Sequence, residues 1–196
     1  MVTATSTALL LGLKDRRNDG AWTQFCERYQ PLIIAFARRL GLSEHDAQDA
    51  AQDALLAFAA GYEEGAFDPD KGRLRKWLLG IAANKIRDVQ RRRGRECLAE
   101  DNGDRTGLLQ RVPDDHTISE AWEAEWEAAI LKACMDQVRT EVEPATMEAF
   151  ELFVLKEWPA QQVADHLHTT SNAVFKAKRR VLARMREVYQ YLEANW

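Results

Sequence analysis

Apolar positions recur at three- and four-residue steps along most of the chain, the period of a helix with one buried stripe. In residues 21–40 the stripe is Trp22, Phe25, Cys26, Tyr29, Leu32, Ile33, Phe36 and Leu40, with Pro31 expected to kink it. Gly41 is a natural stop. Ser43 with Asp46 three residues on forms a capping box that opens a second helix through about Ala60, buried along Ala47, Ala50, Ala51, Ala54, Leu55 and Phe58. The Gly-, Pro- and Asp-rich GYEEGAFDPDKG reads as a turn. Leu74, Trp77, Leu78, Ile81, Ala82, Ile86 and Val89 then mark a third helix that runs into an RRRGR cluster. From Gly94 to about His116 the period disappears, and the polar stretch reads as a linker.

A second group of helices follows. Thr117 and Glu120 form another capping box, after which Trp122, Trp126, Ile130, Ala133, Cys134 and Val138 line a helix ending near Thr140. Pro144 suits the first turn of the next, with Met147, Phe150 and Val154 inward. Pro159 to Leu167 is a brief helix burying Val163 and Ala164; Thr170 caps a longer one carrying Val174, Ala177, Val181, Leu182, Met185 and Val188. No segment alternates as a strand does. The expected fold is all-α, with a helical bundle over 1–93, a linker over 94–116 and a second bundle over 117–196.

Composition narrows the class. With 46% hydrophobic residues, 5 Pro and 10 Gly in 196, the chain can bury a core and is not compositionally disordered. No run approaches the roughly 18 apolar residues of a membrane span, so no membrane insertion is expected. The short apolar stretch near the start has no positive segment before it, which argues against a secretory signal. Cys26, Cys97 and Cys134 fit neither a disulfide framework nor a metal clip, and a cytoplasmic protein is expected.

Charge is polarised. Residues 71–95 hold ten Lys/Arg against the single acid Asp88, and residues 171–186 hold six with no acid, leaving −19 on the other 155 residues of a chain whose net charge is −4. Concentrated basic segments on an acidic protein suit a polyanion partner, although two solvated helix faces would account for them as well; their position has to decide.

The carboxy-terminal segment has the spacing of a helix-turn-helix, with a turn at His168–Thr170. Ser171, Asn172, Phe175, Lys176 and Arg179 lie off the apolar stripe near the start of its second helix. Asn and Arg pair bidentately with base edges, while Lys176, Lys178, Arg180 and Arg184 suit phosphates. On the third helix, Arg73, Lys76, Arg87 and Arg91 share a face with small Gly80 and Ala83 between them, and Asn84 falls beside it. That arrangement suits single-stranded bases, with Asn84 as the sharper candidate and Trp77 better read as core. On the second helix Asp46, Asp49 and Asp53, with Gln48 and Gln52 alongside, form an exposed acidic stripe. It fits a basic protein partner or a solvated face equally. The scattered histidines show no zinc spacing, and no phosphate-loop, nucleophile-elbow or HExxH motif is present, so neither an enzyme nor a cofactor is expected.

Trp22…Tyr29-Gln30-Pro31, DAQDAAQDAL at 46–55 and FDPDKGRLRKWLLGIAANKIRDVQRRR at 67–93 resemble region two of bacterial sigma factors of the extracytoplasmic-function (ECF) type, in the sigma-70 superfamily. Residues 120–186, with PATMEAFELFVLKEWPAQQVADHLHTTSNAVFKAKRRVLARMR inside them, resemble region four. The resemblance implies a subunit of RNA polymerase that directs promoter recognition and transcription initiation. It assigns Asp46, Asp49, Gln52 and Asp53 to the beta-prime clamp helices of core polymerase, with the beta subunit as a further contact. It gives minus-ten DNA to Phe67, Arg73, Lys76, Asn84, Arg87 and Arg91, the loop from Phe67 to Leu74 capturing a flipped base. Minus-thirty-five DNA falls to Thr170, Ser171, Asn172, Phe175, Lys176, Arg179 and Arg180. An anti-sigma factor is a further partner that the resemblance allows. The rival readings are a dimeric helix-turn-helix repressor, which would leave the basic face at 73–91 unexplained, and a helical adaptor that binds only protein.

Overall fold

A computed structural model describes residues 7–15, 18–67, 74–100 and 113–195. Among them every regular element is helical: α1 (Thr7–Gly12), α2 (Asp19–Arg39), α3 (Glu44–Glu63), α4 (Leu74–Glu100), α5 (Asp115–Glu141), α6 (Pro144–Phe150), a π-helical turn (Glu151–Leu155), α7 (Ala160–His166) and α8 (Ser171–Asn195). No helix among the described residues is long and apolar enough to cross a membrane. The chain divides into two units, one ending at Trp126 and one running from Glu127.

In the amino-terminal unit, α2 buries Phe25, Tyr29, Leu32, Ile33 and Phe36 and packs on α3, which packs in turn on α4, where Leu78, Ala82 and Ile86 are buried. Alanines at 47, 50, 51 and 54 have no side-chain rotamers to lose and let the neighbouring helices come close. Rings join the helices: Phe25 stacks on Phe58 at 4.4 Å, and Phe58 meets Trp77 at 4.7 Å. Gly61 lies beneath Trp77, whose ring sits 3.1 Å from where a Cβ would be, so a side chain there would push the indole off α3. Pro31 lies inside α2, which is continuous from Asp19 to Arg39. The helix ends as Gly41 turns to φ +89°, and the Leu42 N–H reaches back to the Ala37 carbonyl at 3.1 Å.

Three features depart from the sequence reading. Helix α1, unforeseen, buries Leu9, the turn after it buries Leu13, and the Tyr62 hydroxyl donates to the Leu10 carbonyl at 2.7 Å. Helix α4 runs past Gly94, where the linker was expected to start, as far as Glu100; an interior glycine costs a helix about 1 kcal/mol and does not end it. Helix α5 begins two residues before the expected cap at Thr117. Asp114 takes that place, accepting the Thr117 N–H at 2.7 Å, and this bond holds its carboxyl below the usual range. The first half of α5 joins the amino-terminal unit: Ile118, Trp122 and Trp126 are buried, Trp122 edge-on to Phe36 at 5.2 Å.

In the carboxy-terminal unit, the second half of α5 buries Ile130, Cys134 and Val138, and α8 buries Val174, Val181, Val188 and Leu192. Pro144 opens α6 at its first turn. The π-helical turn carries one residue more than an α-turn, with the Lys156 N–H bonded to Glu151 at 2.9 Å. That extra residue rotates the inward face, so Leu152 is buried and the expected Val154 only half-buried. Ala149, Leu152, Val163, Ala164 and Val174 form the core under the helix-turn-helix. His168 takes the left-handed position of its turn at φ +51°, and Thr170 caps α8 by accepting the Ala173 N–H at 3.2 Å.

Candidate functional site

The acidic face begins at the cap of α3. Ser43 Oγ accepts the Asp46 N–H at 3.2 Å and donates to the Asp46 carboxylate at 2.7 Å. Arg93, from α4, pairs with the same carboxylate and donates to Ser43 Oγ at 3.3 Å. Asp46 is therefore buried and turned toward α4, and the expected exposed stripe loses its first member. The reason is Arg93, which lies 47 residues away in sequence and is invisible to a helical wheel. Burial alone would raise the Asp46 pKa, but the bonds from Ser43 and Arg93 outweigh it and hold the carboxyl below its ordinary range.

Asp46 should thus contribute stability that is present above the unfolded pKa of about 3.9 and is lost as pH falls through the lower folded value. Asp46→Ala is expected to cost about 1–2 kcal/mol at neutral pH. Urea unfolding of the two proteins at stepped pH should show that difference closing below about pH 4.

Asp49, Gln52 and Asp53 remain exposed on α3, with His45 Nδ1 3.3 Å from the Asp49 carboxylate. They do not stand on a bare helix face. Asp49 and Gln52 line one wall of a groove of about 700 Å³ whose other wall is Trp22, Cys26, Gln30 and Ile34 of α2. Leu56, 62% exposed, lies on the same wall as the acids. The α2 wall escaped the sequence reading, which placed Trp22 and Cys26 on the buried stripe. An apolar groove edged by glutamines and Asp49, with Asp53 exposed on the same helix, suits a partner helix that presents a basic residue beside an apolar contact.

On α4, Lys76, Asn84 and Arg91 are exposed, and Gly80 has open space where a side chain would stand. Ala83, expected beside Gly80, is instead buried, and Arg87 is half-buried and paired with Asp115 of α5. Arg73 lies outside the described residues. Phe67 stacks on Trp77 at 5.3 Å and on Tyr62 at 6.1 Å, so its ring extends the aromatic column of the core. Among the expected minus-ten residues, the structure thus groups Lys76, Asn84 and Arg91 on one open face.

In the helix-turn-helix, Thr170, Asn172, Phe175, Lys176, Arg179 and Arg180 are exposed. Ser171 is half-buried and donates to Gln161 of α7 at 3.0 Å, fixing the start of α8 against α7. Phe175 meets Phe153 edge-on at 5.5 Å, and Lys178 lies over the same ring. Arg184 is spoken for: it pairs with Glu141 at 2.5 Å and Glu187 at 2.7 Å, bonds that raise its pKa and lower that of Glu141.

Residues 25–96 match the family model Sigma-70 region 2. Over 90 residues the chain is 39% identical to the RNA polymerase sigma factor CnrH of Cupriavidus metallidurans, covering 44% of this chain and 46% of that protein. Over 150 residues it is 27% identical to the ECF RNA polymerase sigma factor SigE of Mycolicibacterium smegmatis, covering 73% and 53%. The chain thus carries a sigma-70 region 2 over residues 25–96. It spans about half the length of these curated relatives. The matched region takes in α2 from Phe25, all of α3 and α4 as far as residue 96, and so holds the α2–α3 groove apart from Trp22, and the open face of α4. A solved structure of CnrH in complex with the cytosolic domain of CnrY is 20% identical, with a TM-score of 0.38 over 95% of this chain and 98% of that one.

Proposed function

We propose that this chain is a sigma factor of the ECF type, which joins core RNA polymerase through the α2–α3 groove and directs it to promoters. The observation that carries this reading is that adjacent helices of one small bundle, in the region matched to sigma-70 region 2, offer opposite chemistries. Asp49 and Gln52 line an apolar groove on α3 with Asp53 exposed on the same helix, while Lys76, Asn84 and Arg91 share an open face on α4. The first suits the beta-prime clamp helices; the second suits a melted minus-ten strand, with Asn84 meeting a base edge and the cations meeting phosphates. The helix-turn-helix meets minus-thirty-five duplex through Asn172, Lys176 and Arg179, with Thr170 and Arg180 beside them.

Transcription of a genomic DNA library by purified core polymerase, with and without the chain, tests the reading. New start sites preceded by two short sequence elements at fixed spacing are expected. An unchanged set of start sites would refute it and favour the repressor or adaptor.

The ion pairs of Arg184 change the expectation for the carboxy-terminal helix. Arg180→Ala should lower the salt slope of duplex binding by about 0.9 for one lost phosphate contact. Arg184→Ala should leave that slope unchanged and lower thermal stability instead, since its guanidinium is committed to Glu141 and Glu187. Titrations of the full chain against one duplex at several salt concentrations, beside melting curves, separate the two.

A further inference from the structure

Residues 113–126 hold five acids and no Lys or Arg, the reverse of the composition of α4. In the fold, this acidic run lies against the basic helix. Arg87 pairs with Asp115 and Arg75 with Glu123, so the first half of α5 passes along α4 in the opposite direction. Arg75 also lies 4.7 Å over the Trp126 ring, and Arg39 of α2 donates to Glu125 at 2.5 Å. Between the acids, Ile118, Trp122 and Trp126 pack into the bundle, Trp126 stacked on Tyr29 at 6.1 Å.

We propose that the first half of α5 is an internal cover for one edge of the nucleic-acid face of α4, Asp115 taking the place of a phosphate on Arg87 and Glu123 that of one on Arg75 beyond it, while Lys76, Asn84 and Arg91 stay open. This rests on the reading of α4 as a DNA face. Arg87 belongs to that face by helical position, beside Lys76, Asn84 and Arg91, whereas Arg75 lies about 100° round the helix from Lys76 and adds positive charge beyond the edge of the face. A guanidinium makes the same forked contact with a carboxylate as with a phosphate, so the two compete for one group. Asp115 and Glu123 are mostly exposed, and pairs of this kind contribute little to stability. The buried rings hold the segment in place, and the acids set its electrostatic sign. Exchange of the acids for phosphates is therefore inexpensive, and the free protein holds single-stranded DNA less tightly than the basic count of α4 suggests.

The test measures binding of a short fluorescein-labelled single-stranded DNA of mixed sequence to the full chain by anisotropy. Asp115→Asn with Glu123→Gln keeps the packing and removes the two charges. It should bind about three- to tenfold more tightly than the wild type, with a salt slope steeper by about 0.7 for each arginine released. Glu148→Gln with Glu157→Gln, an equal loss of charge in the carboxy-terminal unit, should leave affinity unchanged. An equal gain in both double variants would overturn the cover, because net charge alone would then explain it. No gain in the first, in a protein whose affinity Lys76→Ala and Arg91→Ala reduce, would overturn the cover and leave the α4 face standing. Wild-type binding in those two single variants would overturn the α4 face and the cover with it.

Discussion

Trp122→Ala is expected to lower the stability of the amino-terminal unit by about 3–5 kcal/mol, the cost of emptying a fully buried aromatic site. Trp122 touches Phe36 at 5.2 Å and Trp126 at 5.7 Å, so its loss opens a cavity among rings that relax little. Trp122→Phe should cost far less. Its indole N–H is buried without a hydrogen-bond partner, and phenylalanine removes that unmet donor while keeping most of the ring volume. Chemical denaturation of the three proteins checks both statements, and an alanine variant as stable as wild type would mean that the first half of α5 is not part of this core.

Asp49→Lys with Asp53→Lys should weaken assembly with core polymerase by more than about 30-fold, since like charges brought together at an interface cost several kilocalories per mole. Both side chains are exposed, and neither holds the bundle together. Far-ultraviolet circular dichroism should therefore be unchanged, which separates lost binding from lost fold. Competition against labelled wild-type protein for a limiting amount of core polymerase gives the measurement. Undiminished competition would move the polymerase contact off α3.

Local chemistry was legible in the sequence. The Ser43 and Thr170 caps, Pro144 at the start of α6 and the turn before α8 each depend on residues within one helical turn, and each stands as read. The apolar stripes of α2, α3 and α8 were legible for the same reason, because a period reports which side of a helix is buried, except that Leu182, read as part of the α8 stripe, is exposed. What escaped depends on distant neighbours. A wheel shows that Asp46 lies on a polar arc of α3 but not that Arg93 stands over it; it shows Arg87 among cations but not that Asp115 meets it. Helix α1 is too short to carry a period of its own and is held by Leu9, Leu13 and the bond from Tyr62, a partner more than fifty residues away. The α2 wall of the groove was missed because half-buried Trp22 and Cys26 satisfy the apolar period as well as core residues do.

The π-helical turn at Glu151–Leu155 bears on how this chain is to be matched with others. A relative whose helix continues there with ordinary α geometry has one residue fewer between Phe150 and Lys156, while its flanking helices keep their directions. A gap placed by habit in the loop before α7 would then shift Glu151 through Glu157 by one position, setting buried side chains opposite exposed ones. The length difference belongs inside the helix.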